Sequence, residues 1–238
     1  MADSRGAKIT DSKIVVALDY TNAKDALSLV NQLDPAQCKL KVGKELYTAT
    51  GPALVEKLVA KDFKVFLDLK FHDIPNTVKK ACKAASDLGI WMLNVHSSGG
   101  SAMMEAALEG VNQSNKNPYL IAVTVLTSMN QATLSEIGNK TPIQEQVLRL
   151  ATLTQTAGLH GVVCSAQEAT LLRQHVNPEF LLVTPGIRPT NASKDDQSRI
   201  VTPPDALRQG ASYLVIGRPI TQAEQPKQAL QAILQSIQ

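Results

Sequence analysis

Short apolar runs recur along the chain and alternate with longer stretches in which apolar residues return every three or four positions. The runs span 14–18, 38–42, 64–69, 91–95, 119–126, 161–164, 180–183 and 213–216. They are brief, rich in Val, Leu and Ile, and nearly continuous, which is how strands buried on both faces of a parallel sheet read. The stretches 22–33, 51–61, 76–88, 101–113, 141–157, 166–175 and 222–237 read as amphipathic helices. Asn22, Asn76, Ser101 and Ser165 stand where N-caps are expected, because their side-chain oxygens accept from the free amides of a first turn. A further short helix is expected within 202–209, behind Pro203 and Pro204, since proline is tolerated in a first turn. Eight strands alternating with eight helices in 238 residues predict an α/β fold, a (β/α)8 TIM barrel in one domain covering 1–238. An open doubly wound sheet is the alternative, because alternation alone does not prove closure.

One long polar stretch, 188–204, breaks this rhythm. A loop of that length in a compact domain reads as a lid. Residues 1–12 are polar, are expected to be a flexible N-terminal segment, and lack the apolar core of a signal peptide. No apolar run is long enough for a membrane span. Cys38, Cys82 and Cys164 are far apart and form no CxxC or Cys/His cluster, so neither a disulfide framework nor a metal site is expected and a cytoplasmic location fits. With 24 Lys+Arg against 21 Asp+Glu, the net charge of +3 gives no reason to expect nucleic acid as a partner.

Charge is concentrated at the ends of the apolar runs. Asp19 closes the first, Lys41 interrupts the second near its end, Asp68 and Lys70 close the third, and His96 closes the fourth. Thr127 follows the fifth, Arg188 the seventh, and Gly217 with Arg218 the eighth. In a barrel the C-terminal strand ends converge on one face, so these groups would surround a single cavity. Each also has a plain structural reading: Asp19 as a turn residue, Lys41 as a snorkelling surface lysine, Gly217-Arg218 as a turn with a surface arginine. The joint pattern favours a site.

Asp68 and Lys70 are two apart, so on a regular strand they share a face. Asp73 follows in the loop leading to the next helix. Buried charges must be paired. With Lys41 from the neighbouring strand, two cations and two anions can alternate, and each carboxylate favours the protonated ammonium beside it. A lysine held positive in a dry cavity is suited to stabilise a carbanion and protonate it. The alternative is an ion-pair network serving the barrel rim alone.

The run Asp68-Leu69-Lys70-Phe71-His72-Asp73-Ile74-Pro75-Asn76-Thr77 resembles the signature of orotidine 5′-phosphate decarboxylases. The resemblance extends over essentially the whole chain, including Val16–Asp19, Lys39–Gly43, Asn94–His96, Val125–Ser128, Thr184–Pro189 and Val215–Ile220. It implies conversion of orotidine 5′-monophosphate to uridine 5′-monophosphate and CO2 without cofactor or metal. It makes Lys70 the proton donor within a network of Lys41, Asp68, Lys70 and Asp73. Asp19 and Lys41 would hold the ribose, Ser128 would read the pyrimidine with Thr127 nearby, and Arg188, Gln197, Gly217 and Arg218 would bind the phosphate. It also implies a homodimer in which Asp73 and Thr77 reach the partner's site. Gly217 would let amides approach an anion, and arginines suit phosphate. The rivals are a metal-dependent sugar-phosphate lyase or aldolase of the same superfamily and a non-catalytic phosphate-binding barrel. The first needs an extra carboxylate after the second strand, where Lys41 stands and Glu45 lies further on.

Overall fold

Every expected apolar run becomes a strand: β1 (Ile14–Leu18), β2 (Lys39–Gly43), β3 (Val65–Phe71), β4 (Met92–His96), β5 (Tyr119–Val123), β6 (Gly161–Val163), β7 (Leu181–Thr184) and β8 (Tyr213–Ile216). The structure is a computed structural model that describes residues 11–189 and 201–238. All neighbouring strands are parallel, and β8 pairs back onto β1 through Ile14↔Leu214 and Val16↔Ile216. The sheet is therefore a closed eight-stranded barrel and not an open doubly wound sheet.

The helices are α1 (Ala23–Val30), α2 (Lys44–Thr50), α3 (Pro52–Val59), α4 (Pro75–Asp87), α5 (Gly100–Asn112), α6 (Gln131–Glu136), α7 (Ile143–Thr156), α8 (Ala166–Arg173), α9 (Pro203–Arg208), α10 (Arg218–Thr221) and α11 (Pro226–Ser236). Asn22 caps α1 by accepting from the Asp25 amide, and Ser165 forms a capping box with Glu168 on α8. Two expected caps are corrected. Asn76 lies inside the first turn of α4, which Ile74 precedes and Pro75 opens, and Ser101 lies inside α5, preceded by Gly99. In α4 the proline at the first helical position moves the start upstream of Asn76. The fifth strand ends at Val123, short of the expected 126, and residues 127–128 turn. Helices α2, α6 and α10 were not expected, because four to seven residues are too few to display a helical period.

Strand alternation sorts the side chains into two layers. Ile14, Val16 and Leu18 of β1 face outward into the large cluster shared with the helices. Val15, Ala17, Phe66, Met92, Ile121, Val183, Tyr213 and Val215 face inward and fill the barrel. Burial on both faces explains why the runs are continuously apolar. The inward series continues upward as Val15–Ala17 on β1 with Asp19 just past its end, Phe66–Asp68 on β3 and Met92–Asn94 on β4. The plug of apolar residues thus gives way to polar ones at the C-terminal rim.

At the opposite end, Asp11 and Ser12 are tied to the barrel, while residues 1–10 of the segment expected to be flexible lie outside the described residues. Asp11 accepts from Lys39 and Lys64 at 3.0 and 2.7 Å and from the Tyr213 hydroxyl at 2.8 Å. The lid expected over 188–204 falls mostly on residues 190–200, outside the described residues. Its two flanks meet: Ile187 bridges Val201, and the Arg188 amide donates to the Val201 carbonyl at 3.1 Å.

Candidate active site

The charges at the ends of β1, β2 and β3 form one connected chain. Lys41 Nζ lies 3.4 Å from Asp19 Oδ1 and 3.4 Å from Asp68 Oδ2. Lys70 Nζ donates to Asp68 Oδ1 at 2.6 Å. Anion and cation therefore alternate from Asp19 through Lys41 and Asp68 to Lys70. Asp68 and Lys41 are nearly enclosed, with 13% and 12% of their side chains exposed, whereas Asp19 is open to solvent. Burial alone would push the Asp68 carboxyl up, but the charges of Lys41 and Lys70 and the hydrogen bonds from Lys70 and Asn94 outweigh it and hold it below the ordinary carboxylate range. Asp68 is thus a lasting anion between two ammonium groups.

A cavity of ≈ 180 Å³ opens above this chain, bounded by Asp19, Lys41, Asp68 and Lys70 and walled by Lys44 and Glu45 from the first turn of α2. Glu45 is thus nearer the charges than its place in the sequence suggests. Lys41 nevertheless stands between the two carboxylates Asp19 and Asp68, which a shared divalent ion would have to occupy. No cluster of three metal-ligating side chains exists among the described residues. Two glycines keep the site open. A Cβ on Gly43 would sit 3.2 Å from Lys41 Nζ, and one on Gly217 would sit 3.3 Å from Asp19 Oδ2.

Lys70 reaches its position through an irregular backbone. Its φ is +53°, the left-handed region that costs a non-glycine residue roughly 1–2 kcal/mol. The β3–β4 register jumps at the same place, from Leu67↔Leu93 to Phe71↔Val95. The Lys70 amide is held by Asn94 Oδ1 at 2.8 Å, and Asn94 Nδ2 donates to Asp68 Oδ1 at 2.7 Å. Asn94 is fully buried. Nothing in its spacing assigns it a role, although a single amide in the apolar run 91–95 must find partners if buried.

Other expected site residues take separate places. Asp73 does not join the ion pairs: it is exposed, and its carboxylate accepts from the Ile74 amide at 2.6 Å. Thr77 is exposed in the first turn of α4. Exposed Ile74, 67% accessible, lies between them in sequence, so residues 72–77 present a continuous open strip. Thr127 and Ser128 are exposed in the turn after β5, on the same rim. Arg188 is buried just beyond β7, and Gly217 with Arg218 opens α10 directly after β8. Gln197 lies outside the described residues. His96 stacks against His72 with ring centroids 5.4 Å apart. Its burial, then the nearby charges of His72, Lys44 and Lys70, push its pKa down to about 4, so it is neutral near pH 7.

Comparison with known proteins agrees with this geometry. The family model described as orotidine 5′-phosphate decarboxylase / HUMPS matches residues 12–233. A relative from Nitrosococcus oceani, named orotidine 5′-phosphate decarboxylase, is 62% identical over 93% of this chain and 96% of its own. One of the same name from Pseudoalteromonas atlantica is 60% identical over 95% and 99%. The crystal structure of orotidine 5′-phosphate decarboxylase from Lactobacillus acidophilus superposes with a TM-score of 0.85 at 38% identity, covering 95% of this chain and 99% of that one. The closed barrel, the alternating charges above it and a match that runs nearly end to end make this chain a member of the orotidine 5′-phosphate decarboxylase / HUMPS family.

Proposed function

We infer that the chain converts orotidine 5′-monophosphate to uridine 5′-monophosphate and CO2 in pyrimidine biosynthesis, as a cofactor-independent carboxy-lyase. The observation that carries the mechanism is the alternation Asp19–Lys41–Asp68–Lys70 beneath an open cavity. Breaking the bond between C6 and its carboxylate releases CO2 and leaves the electron pair on C6. Lys70 stabilises that carbanion by its charge and then transfers an ammonium proton to it, with water returning the proton to the amine. Preorganised charge of this kind acts most strongly where water is excluded. Asp68, pinned between Lys41 and Lys70, sets a fixed negative charge beside the Lys70 ammonium and holds it in place for the transfer.

Asp19 and Lys41 border the cavity on the side of β1 and β2 and suit the ribose hydroxyls. Thr127 and Ser128 suit the pyrimidine from the β5 rim. Arg188 and Arg218, with the backbone at Gly217, suit the phosphate, since the loops after the seventh and eighth strands are a frequent phosphate site in such barrels. Gln197 would complete that subsite. The exposed strip from Asp73 to Thr77 supports a homodimer in which it enters the partner's site. Three buried free thiols fit a reducing compartment, so we place the enzyme in the cytoplasm.

The test is to add orotidine 5′-monophosphate and follow its ultraviolet absorbance, with and without EDTA. A decrease unaffected by EDTA supports this reading. No decrease removes it, and EDTA sensitivity favours the metal-dependent lyase.

A further inference from the structure

Asn94 has no part in the reading above, yet it occupies the most irregular place in the barrel. Between the paired positions Leu67↔Leu93 and Phe71↔Val95, three residues of β3, Asp68, Leu69 and Lys70, face a single residue of β4, Asn94. The bulge includes the left-handed turn at Lys70, and a bulge re-aims the side chains it carries. Asn94 grips the bulge at both ends. Its Oδ1 accepts from the Lys70 amide at 2.8 Å, and its Nδ2 donates to Asp68 Oδ1 at 2.7 Å, the same oxygen that receives Lys70 Nζ. The orientation of the amide is fixed by its partners, because a backbone N–H only donates and a carboxylate only accepts. The side chain is wholly inaccessible to solvent. One neutral residue thus sets both where the Lys70 side chain departs from the backbone and how its counterion is aimed.

We propose that Asn94 is a positioning residue of the decarboxylation site, holding the three-residue bulge of β3 in the shape that directs Lys70 and Asp68 into the cavity. It touches no substrate and acts through those two residues, so the proposal rests on their roles as given above. An amide suits this place because it is both donor and acceptor without adding charge. The charged groups facing it are Asp68 and Lys70 on β3 and Lys41 on β2 beyond Asp68, and the titratable His96 lies two residues on along β4; β5 carries no charged side chain.

The experiment compares Asn94→Ala and Asn94→Asp with the unmodified protein, measuring kcat, KM and the binding of uridine 5′-monophosphate across pH. Asn94→Ala is expected to lose on the order of 100-fold in kcat, the scale of a small misplacement of a reacting group, with KM and nucleotide binding within about threefold. Asn94→Asp is expected to add a step to the pH profile. While the introduced carboxyl shares a proton with Asp68 it can still donate as the amide does, and loss of that proton sets two carboxylates against each other. Activity should therefore fall on the alkaline side of a transition absent from the unmodified profile. A folded Asn94→Ala protein with kcat within about threefold of normal overturns the proposal. So does an Asn94→Asp profile parallel to the unmodified one, which decides the matter even if the alanine variant does not fold. If the unmodified protein itself fails to decarboxylate the nucleotide, the reading of the whole site falls and this proposal with it. Normal turnover with indifferent Asn94 variants removes this proposal alone.

Discussion

Lys39 and Lys41 stand two residues apart on the same face of β2, one at each end of the barrel interior. Lys41 points into the cavity between two carboxylates. Lys39 is buried at the base, 2% exposed, where it meets Asp11 at 3.0 Å and lies over the rings of Trp91 and Tyr213 at 5.0 and 4.9 Å. Its burial pushes its pKa down against the pull of Asp11. Asp11→Ala leaves that ammonium without its counterion, and breaking a buried pair costs roughly 3–5 kcal/mol. Because Asp11 is itself partly exposed, we expect about 2 kcal/mol, a drop in Tm of roughly 4–8 °C, with kcat/KM unchanged. Thermal unfolding beside a turnover assay checks this. A loss of activity in a fully folded variant would show that the two ends of β2 are coupled.

Lys70→Ala removes both the proton donor and the charge that faces the cavity. General acid catalysis alone accounts for roughly 10²–10⁴-fold, so the loss of kcat should exceed about 10⁴-fold. The fold should persist, since Lys70 is at the rim and the hydrogen bond from its backbone N–H to Asn94 Oδ1 does not need the side chain. Steady-state kinetics with a circular dichroism control measures it, and near-normal turnover would refute the assignment of Lys70.

Arg218 opens α10 immediately after Gly217, at the end of β8 where the proposed function puts the phosphate and not the reacting carbon. A phosphate held there contributes binding energy that remote contacts can apply to the barrier. Arg218→Ala should lower kcat/KM by the equivalent of several kcal/mol of transition-state binding. Titration with inorganic phosphite and a substrate lacking the phosphate would show whether the loss is confined to the phosphate subsite. An unchanged kcat/KM removes Arg218 from the site.

The barrel and the strand-end charges were legible because burial on two faces forces continuous apolar runs, in which Asp19, Lys41 and Asp68 stand out. The geometry that matters most was not. Regular alternation placed Asp68 and Lys70 on one face, but they meet across a bulge with Lys70 left-handed, and a bulge depends on a contact from another strand. Asn94 supplies that contact from β4, 24 residues beyond Lys70 in sequence. Asp73 was grouped with the network by spacing and resemblance, yet within one chain it turns to its own helix start. Lys39 does not stand out in the sequence, because its partner Asp11 lies in a segment with no pattern of its own.

His96 should make stability depend on pH. Its folded pKa of about 4 lies below the ordinary histidine value of 6.5, so the unfolded chain takes up the proton first. The stabilisation is complete above about pH 6.5 and is lost as pH falls toward 4. His160, also pushed down by burial, contributes in the same direction. Asp11, held down to about 2, and Asp68 lose their contributions only at lower pH. Tm measured from pH 7.5 to 4 should therefore fall, and the slope should be shallower in His96→Asn. Identical slopes would mean that His96 protonates freely in the folded protein.

The exposed strip from His72 to Thr77 bears on assembly. Ile74 is 67% exposed and stands beside Asp73, whose carboxylate makes no ion pair among the described residues. An apolar side chain and an uncommitted anion on one edge of the site suit a self-complementary twofold contact. If Asp73 serves the partner's site, Lys70→Ala and Asp73→Asn each give a dimer with two defective sites. A mixed dimer has one site lacking both groups and one intact site. Equal mixing with free exchange makes half the dimers mixed, so about a quarter of the normal site activity should return. Unfolding is not needed for this readout if the subunits exchange; otherwise co-expression supplies the mixed dimers. Activity equal to the sum of the two variants alone would place Asp73 in its own chain's site or outside the chemistry, and a monomer in solution would exclude the shared site altogether.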